Sequence, residues 1–186
     1  MRAFIMAAGR GTRLAPLTDV VPKPLIPIAN EPAIVGLLRT CAQHGIRDVV
    51  INVSYLGDQL INAIGDGSSL GIRVAWSREA EPMGTAGGMK NAEALLREGD
   101  EPVLVLSGDG LHDVDLSGVA AAHRAAGVTA TIVLSLVDDP QEYGVAVRDE
   151  RGYITSFQEK PSRDEALSHE ANTGIYLFAP EIFDRL

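Results

Sequence analysis

Residues 1–25, MRAFIMAAGRGTRLAPLTDVVPKPL, decide the expected fold, because a short apolar run leads directly into a glycine-rich turn. The run at 3–7 (AFIMA) is typical of a buried strand, and Gly9 and Gly11 follow it at once. Glycine after a strand lets the backbone approach a ligand closely, often a phosphate. The question is therefore which phosphate-binding loop this stretch forms.

Two common phosphate-binding loops do not fit the stretch. A P-loop needs a Gly-Lys pair, which does not follow here, and a dinucleotide fingerprint needs a third glycine where Leu14 stands. Prolines at 16, 22, 24 and 27 predict that the following chain stays extended. What remains is a proline-stiffened loop that carries two cations, Arg13 and Lys23. A surface turn with solvated charges is the alternative.

The rest of the chain predicts a largely parallel, doubly wound α/β sheet, because strand and helix patterns alternate. From Tyr143 onward the helices disappear, which predicts antiparallel strands beside that sheet. Residues 179–186 resemble a helix cut short, so a single domain over 1–186, truncated at its C-terminal end, is expected. The predicted strands are 48–54, 71–77, 102–109, 128–137, 143–149, 153–159 and 172–179, and the predicted helices are 32–45, 56–67, 85–99 and 115–127.

Composition narrows the classes of partner. The net charge of −9 argues against nucleic acid or an anionic membrane as the main partner, so any anion site must be a local cluster of cations. Cys41 is the only cysteine, which predicts no internal disulfide and a reducing, cytoplasmic location. No apolar stretch is long enough to predict a membrane span. Formation of a homo-oligomer stays open.

Six segments, in this order, resemble one family: MAAGRGTRLAPLTDVVPKPLIPI, EAEPMGTAGG, LSGDG, EYGVAV, FQEKP and NTGIYLF. Together they are similar to the motifs of sugar-1-phosphate nucleotidyltransferases, with mannose-1-phosphate guanylyltransferases as the nearest branch. The resemblance covers essentially the whole chain. It implies a Rossmann-like nucleotidyltransferase fold and an enzyme that joins a nucleoside triphosphate to a sugar 1-phosphate and releases pyrophosphate.

The resemblance also assigns catalytic residues. Arg13 would stabilise the transferring phosphoryl group and the pyrophosphate, and Lys23 would lie on the triphosphate side. Asp109 follows a predicted strand, where α/β sheets place their ligands, and would bind Mg²⁺. The family uses a second metal-binding aspartate, for which no matching position is found before Leu186. The backbone that would contact the nucleotide belongs to Ala8, Gly9, Gly11 and Thr12.

Base choice depends on Glu79, which stands five residues before Gly84. A carboxylate offers only acceptors, which suits the two adjacent donors of guanine, whereas an amide would suit thymine or uracil better. GTP is therefore the expected nucleotide, with Gly84 and Thr85 beside it. An exposed, solvated glutamate is the alternative for Glu79.

The later motifs supply the predicted sugar side. Lys160 would pair with the phosphate of the sugar, preferably mannose 1-phosphate, and Glu159 would accept from ring hydroxyls. Taken singly, these two residues would also fit an ordinary surface ion pair. The complete set of predicted sugar-phosphate residues is Tyr143, Gly144, Glu159, Lys160 and Asn172.

Three alternative functions stay open at this level. The first is a related transferase that uses UTP or dTTP with glucose 1-phosphate or an amino sugar. The second is a non-catalytic regulatory subunit of the same fold that binds nucleotide sugars. The third, a dinucleotide-dependent oxidoreductase, is disfavoured because Leu14 replaces the third glycine.

Overall fold

The computed structural model describes residues 1–97 and 99–186. Contacts divide the chain into two compact units. The first unit contains Met1–Thr131 and Tyr176–Leu186, and the second contains Ile132–Ile175. The single domain expected over 1–186 stays a prediction.

The first unit is built on a parallel sheet. Its strands are β1 (Arg2–Met6), β4 (Asp48–Val53), β5 (Arg73–Arg78) and β6 (Val103–Ser107), in the order β5-β4-β1-β6. The end of β10 (Glu170–Phe178) adds antiparallel to β6. The predicted doubly wound α/β arrangement is confirmed. A separate antiparallel pair joins β2 (Pro27–Ile28) to β3 (Glu31–Pro32).

Nearly continuous apolar sequence explains these central strands. Ala3, Phe4 and Ile5 in β1 are fully buried, and β6 has the sequence VLVLS, with its first four residues buried. Strands of a parallel sheet are covered on both faces, so both sets of alternating side chains must be apolar. Cys41 is buried as well, and this burial raises the pKa of its thiol to about 12.

The predicted helices form with two corrections. The helix expected over 85–99 divides at Ala92 into two, and Glu98 within that prediction lies outside the described residues. The helix expected over 56–67 ends at Ile64, because Gly65 adopts a φ of 65° and breaks the helical path. The helices are α1 (Ala33–Gln43), α2 (Gly57–Ile64), α3 (Gly84–Asn91), α4 (Glu93–Leu96) and α5 (Leu116–Ala126).

The prediction of an extended chain after the glycine turn is wrong. Three short 3₁₀ helices occupy Thr12–Leu14, Leu17–Asp19 and Lys23–Leu25. Proline fixes φ near −65°, a value that a 3₁₀ turn accepts as readily as an extended strand. The final residues, which were expected to begin a helix, form the 3₁₀ helix Pro180–Asp184.

The second unit is antiparallel, as predicted. Strands β8 (Gly144–Arg148) and β9 (Ile154–Glu159) pair with each other, and Ala171 of β10 pairs with Val145 of β8. β7 (Ala130–Leu136), which begins in the first unit, pairs with β10. β10 begins at Glu170, two residues before the expected position.

Among the described residues, no helix is both long enough and apolar enough to cross a bilayer.

Candidate active site

The carboxyl ends of the parallel strands in the first unit open onto one cavity of about 360 Å³. Met6 ends β1, Asn52 lies near the end of β4, and Ser107 ends β6. This edge is where α/β sheets bind ligands, because the strand-to-helix loops meet there. The segments that follow the strands, including the start of α3, supply the other lining residues, which are Ala7, Ala8, Gly9, Gly11, Arg13, Lys23, Pro24, Glu79, Pro82, Gly84, Thr85 and Asp109.

The predicted catalytic and nucleotide-binding residues are almost all found around this cavity. Thr12 is the exception, because it is exposed at the start of a 3₁₀ helix and is not among the described residues that line the cavity. Residues 8–23, residues 79–85 and Asp109, which are far apart in the sequence, therefore meet at this cavity. The roles predicted for these residues stay predictions. The predicted residues that line the cavity are Ala8, Gly9, Gly11, Arg13, Lys23, Glu79, Gly84, Thr85 and Asp109.

An ion pair joins the first loop to the end of β6. The Nζ atom of Lys23 contacts Oδ2 of Asp109, and the hydroxyl of Ser107 donates to Oδ1 of the same carboxylate. Burial tends to raise the pKa of the Asp109 carboxyl, but the hydrogen bonds from Lys23 and Ser107 outweigh burial and hold this pKa below its usual value. Asp109 is therefore an ionised carboxylate whose orientation is fixed.

The glycines of the first loop allow a close approach of the backbone. Gly11 has a φ of 65°, and a Cβ atom there would lie 3.1 Å from the Lys23 and Thr18 side chains. A Cβ atom at Gly9 would meet nothing within 4 Å, although Gly9 lines the cavity. The backbone at Gly9 thus faces open space that a ligand can occupy.

Arg13 is held by a short 3₁₀ helix, and its side chain is exposed. Within residues 1–97 and 99–186, no group forms a hydrogen bond or an ion pair with its guanidinium. A guanidinium offers five donors in a planar fork that matches phosphate oxygens. Arg13 can therefore bind an anion in the cavity without first breaking a contact within the described protein.

Glu79 is only 6 % exposed, so the alternative of an exposed, solvated glutamate is wrong. Its Oε1 accepts from Nδ2 of Asn52 at 2.7 Å, and its Oε2 accepts from the Met83 amide at 2.9 Å. Oδ1 of Asn52 accepts in turn from the Ala7 amide at 2.7 Å. A buried polar chain therefore connects the first loop, β4 and the segment before α3.

The predicted sugar residues all belong to β8, β9, β10 or the residues beside them. Gly144 pairs with Glu159 across the ladder, and the amide of Lys160 donates to the carbonyl of Tyr143 at 3.0 Å. Lys160 has a φ of 46°, an unusual value for a residue with a side chain. Asn172 accepts from the Gly174 amide through Oδ1. The structure thus brings four of these residues into contact, and their role stays a prediction.

Sequence reasoning missed two polar residues that line the cavity, Asn52 and Ser107. Each carries a signal that could have been used. Asn52 interrupts the apolar strand sequence VVINV, and a buried polar side chain needs a partner. Ser107 is the last residue of β6 and comes just before the Gly-Asp pair.

The residues fit a magnesium ion that is shared with a substrate. Asp109 supplies one ionised carboxylate at the cavity, and Mg²⁺ is commonly held by one or two carboxylates together with substrate phosphates. In the part of the chain that the structure describes, no group of three or more His, Cys, Asp or Glu residues forms a metal cage. Asp109 is thus a single carboxylate donor that such an ion could use.

Comparison with known proteins identifies relatives of the whole chain. A family model described as Nucleotidyl transferase matches residues 2–186. A UTP–glucose-1-phosphate uridylyltransferase of Synechocystis is 42 % identical over 99 % of this chain and 50 % of its own length. The mannose-1-phosphate guanylyltransferase catalytic subunit beta of Drosophila pseudoobscura is 39 % identical over 100 % of this chain and 50 % of its own length.

A solved structure shows the same fold. A Bacillus anthracis protein described as a glucose-1-phosphate thymidylyltransferase superimposes with a TM-score of 0.88 at 30 % identity, over 99 % of this chain and 73 % of that one. The chain spans about half the length of the curated relatives it matches.

Proposed function

We propose, since the chain belongs to the nucleotidyl transferase family, that it joins a nucleoside triphosphate to a sugar 1-phosphate and releases pyrophosphate. One observation carries the proposal. Arg13, Lys23 and Asp109 line one cavity at the carboxyl edge of a parallel sheet, beside the open backbone of Gly9. This set combines cations for phosphate, a carboxylate for a metal and backbone that a nucleotide can approach.

The reaction requires little proton transfer by the protein. A phosphate oxygen of the sugar 1-phosphate attacks the α-phosphorus, and the bond from that phosphorus to the bridging oxygen of pyrophosphate breaks. The nucleophile is largely dianionic at neutral pH, since its second pKa is about 6, so no general base is required. The chief barrier is the repulsion between two anions, which Arg13 and Lys23 lower by binding phosphate oxygens.

Asp109 would hold Mg²⁺ together with phosphate oxygens, and the ion would supply Lewis-acid stabilisation of negative charge. Ser107 keeps one carboxylate oxygen of Asp109 engaged, so the other oxygen is directed toward the cation of Lys23. Phosphate offers Lys23 a second anionic partner. In this proposal Lys23 would bind oxygens of the triphosphate, and Asp109 would hold the metal.

For the substrates we propose GTP and mannose 1-phosphate. Support comes from the acceptor-only carboxylate of Glu79 and from the 39 % identity to a mannose-1-phosphate guanylyltransferase. UTP with glucose 1-phosphate is the second candidate, favoured by the 42 % identity to a uridylyltransferase. In either case we propose that Lys160 contacts the phosphate of the sugar 1-phosphate and that Glu159 accepts from the ring hydroxyls.

The test is pyrophosphate release from GTP, UTP, dTTP, ATP or CTP, each with mannose 1-phosphate or glucose 1-phosphate, in Mg²⁺ and in EDTA. We expect release that depends on magnesium with one pair, and loss of release in Asp109→Asn but not in the neighbouring control Asp113→Asn. Nucleotide binding without release from any pair would overturn the proposal in favour of a non-catalytic regulatory subunit.

A further inference from the structure

Three segments that line the cavity meet at one buried side chain, Asn52, which is 3 % exposed. Its Oδ1 accepts from the Ala7 amide and its Nδ2 donates to Glu79, both at 2.7 Å. Ala7 belongs to the first loop, and Glu79 directly follows β5. One amide group therefore connects both walls of the cavity.

Only one orientation of the Asn52 amide satisfies both neighbours. Rotating it by half a turn would place its donor group against the Ala7 amide and its acceptor against the Glu79 carboxylate. A buried donor or acceptor without a partner is costly, so this orientation is fixed by chemistry. The carboxylate is fixed as well, because its second oxygen accepts from the Met83 amide.

The helix that follows closes the space around this pair. A Cβ atom on Gly88 of α3 would lie 2.6 Å from Oε1 of Glu79 and 2.7 Å from Nδ2 of Asn52. The backbone of α3 therefore packs directly against the pair, and other rotamers have little room. Each carboxylate oxygen uses one lone pair on the protein and keeps another acceptor site.

We propose that Asn52 is a positioning residue for nucleotide selection. It holds the carboxylate of Glu79 so that the remaining acceptor sites face the base, and it fixes that carboxylate relative to the first loop through Ala7. This inference rests on the proposed function, because it assumes that the base binds beside Glu79. It assigns to Asn52 an influence on which base binds, in addition to any contribution to folding.

A purely structural role makes a different prediction. If Asn52 only satisfied buried polar groups, its loss would lower the melting temperature and weaken all nucleotides alike. If it positions Glu79, its loss changes the ratio of affinities between nucleotides with different hydrogen-bonding edges. The deciding quantity is thus the ratio of the Kd values for GTP, UTP and dTTP, measured by calorimetry with Mg²⁺ and without sugar phosphate.

Two variants keep the test independent of folding. Asn52→Ala removes the link, and we expect the ratio of Kd values for GTP and UTP to change about 10- to 100-fold, as for the loss of a hydrogen bond to a charged group. The double variant Asn52→Asp/Glu79→Gln reverses only the hydrogen bond between these two side chains, and both side chains still accept from the Ala7 and Met83 amides, so all three hydrogen bonds can form. We expect the double variant to recover the melting temperature and to shift preference toward UTP and dTTP.

Asn91→Ala is the matched control, since Asn91 donates to Ser77 near the same segment but does not line the cavity. Its ratio of Kd values should equal that of the unsubstituted protein. An unchanged ratio in Asn52→Ala, with nucleotide binding intact, would overturn the inference alone. Failure of the unsubstituted protein to bind any of the three nucleotides would overturn the proposed function, and the positioning role of Asn52 with it.

Discussion

The two units hold their candidate residues by different means. In the first unit, the side chains of Asn52, Glu79 and Asp109 are fixed by other side chains or by backbone amides around a cavity. In the second unit, Gly144 and Lys160 are placed mainly by the backbone ladder, and the ion pairs Arg148–Glu170 and Arg163–Asp139 lie at least partly in solvent. Apart from Arg13, the polar side chains around the cavity of the first unit are therefore held by more side-chain contacts than the residues proposed to bind the sugar.

This difference suits the two tasks. Stabilising a transferring phosphoryl group needs charges that are already in position, because reorganisation during the reaction is costly. Selecting a sugar needs hydrogen-bonding partners for its hydroxyls and one cation for its phosphate. Side chains held on strands can supply both without a buried side-chain network. Substitutions in the first unit should therefore affect turnover most, and those in the second unit should affect binding of the sugar phosphate.

The largest effect is expected for Arg13→Ala. Its guanidinium is exposed, so the fold should persist, while kcat should fall about 10²- to 10³-fold as for other lost transition-state donors. Steady-state pyrophosphate release measures the loss. Arg39→Ala, which removes an exposed ion pair to Glu31, should stay near the original rate. Near-normal turnover in Arg13→Ala would contradict the catalytic role of Arg13 and the expectation that substitutions in the first unit affect turnover most.

Lys160→Met tests the second unit. It keeps the length of the side chain and removes the charge, so KM for the sugar 1-phosphate should rise about 10- to 100-fold while KM for the nucleotide stays the same. Initial rates with each substrate varied in turn give both constants. Arg163→Ala, which breaks an exposed pair with Asp139, is the control from the same unit. A change confined to nucleotide KM would contradict the assignment.

Gly88→Ala should destabilise the protein by about 1–3 kcal/mol, because its new methyl group would collide with Glu79 and Asn52. The helical glycine Gly36 is the matched control, since its nearest neighbour would lie 4.0 Å away. Gly36→Ala should instead stabilise by about 0.5–1 kcal/mol. Urea unfolding compares the two. Equal effects would mean that the buried pair in the first unit is not tightly packed.

A smaller effect, on the pH dependence of the free energy of unfolding, is expected from His123 of the first unit. Burial, together with the charge of Arg124, lowers the pKa of this imidazole. As pH falls below about 6.5, the unfolded chain takes up a proton before the folded chain does, so the free energy of unfolding decreases. His123→Gln should flatten the pH dependence of urea unfolding in this range. An unchanged slope would show that His123 does not cause it.

The smallest effect belongs to Asp139 of the second unit. Hydrogen bonds from Arg163 and then Gln141 hold the pKa of this carboxyl well below its usual value. The stability from this depressed pKa is present above about pH 3.9 and is lost as pH falls toward the folded value. Asp139→Asn should weaken the acid dependence only slightly, and less so at high salt. If Asp139→Asn still changed the acid dependence strongly at high salt, the ion pair with Arg163 could not be an exposed, screened one.

Much of the fold was predictable from local patterns. Apolar runs gave the strands of the parallel sheet, and Gly127 and Asp115 mark the ends of α5 as glycine and capping residues usually do. The conformation between Thr12 and Leu25 was not predictable, because proline permits both extended and 3₁₀ backbone. In the structure the buried hydroxyl of Thr18, from the second 3₁₀ helix, donates to the carbonyl of Gly11, a tertiary contact that the local sequence does not reveal.

The candidate site was predictable in its membership but not in its internal contacts. Arg13, Lys23 and Asp109 were expected from the first loop and the end of a strand, and they line one cavity. The partners of Glu79 were not expected, because Asn52 lies 27 positions away and its strand looks like ordinary core. Nothing local in the sequence fixes which distant donor a buried carboxylate will face.

By itself, the sequence determined the order of strands and helices and the residue types that phosphate chemistry requires, because periodicity and side-chain chemistry are local properties. Only the tertiary structure decided that Asn52 bridges Ala7 and Glu79, and that Lys23 and Ser107 both engage Asp109. Those contacts depend on parallel strands, distant in sequence, ending at the same edge of the sheet. Burial then requires each polar group gathered there to find a partner.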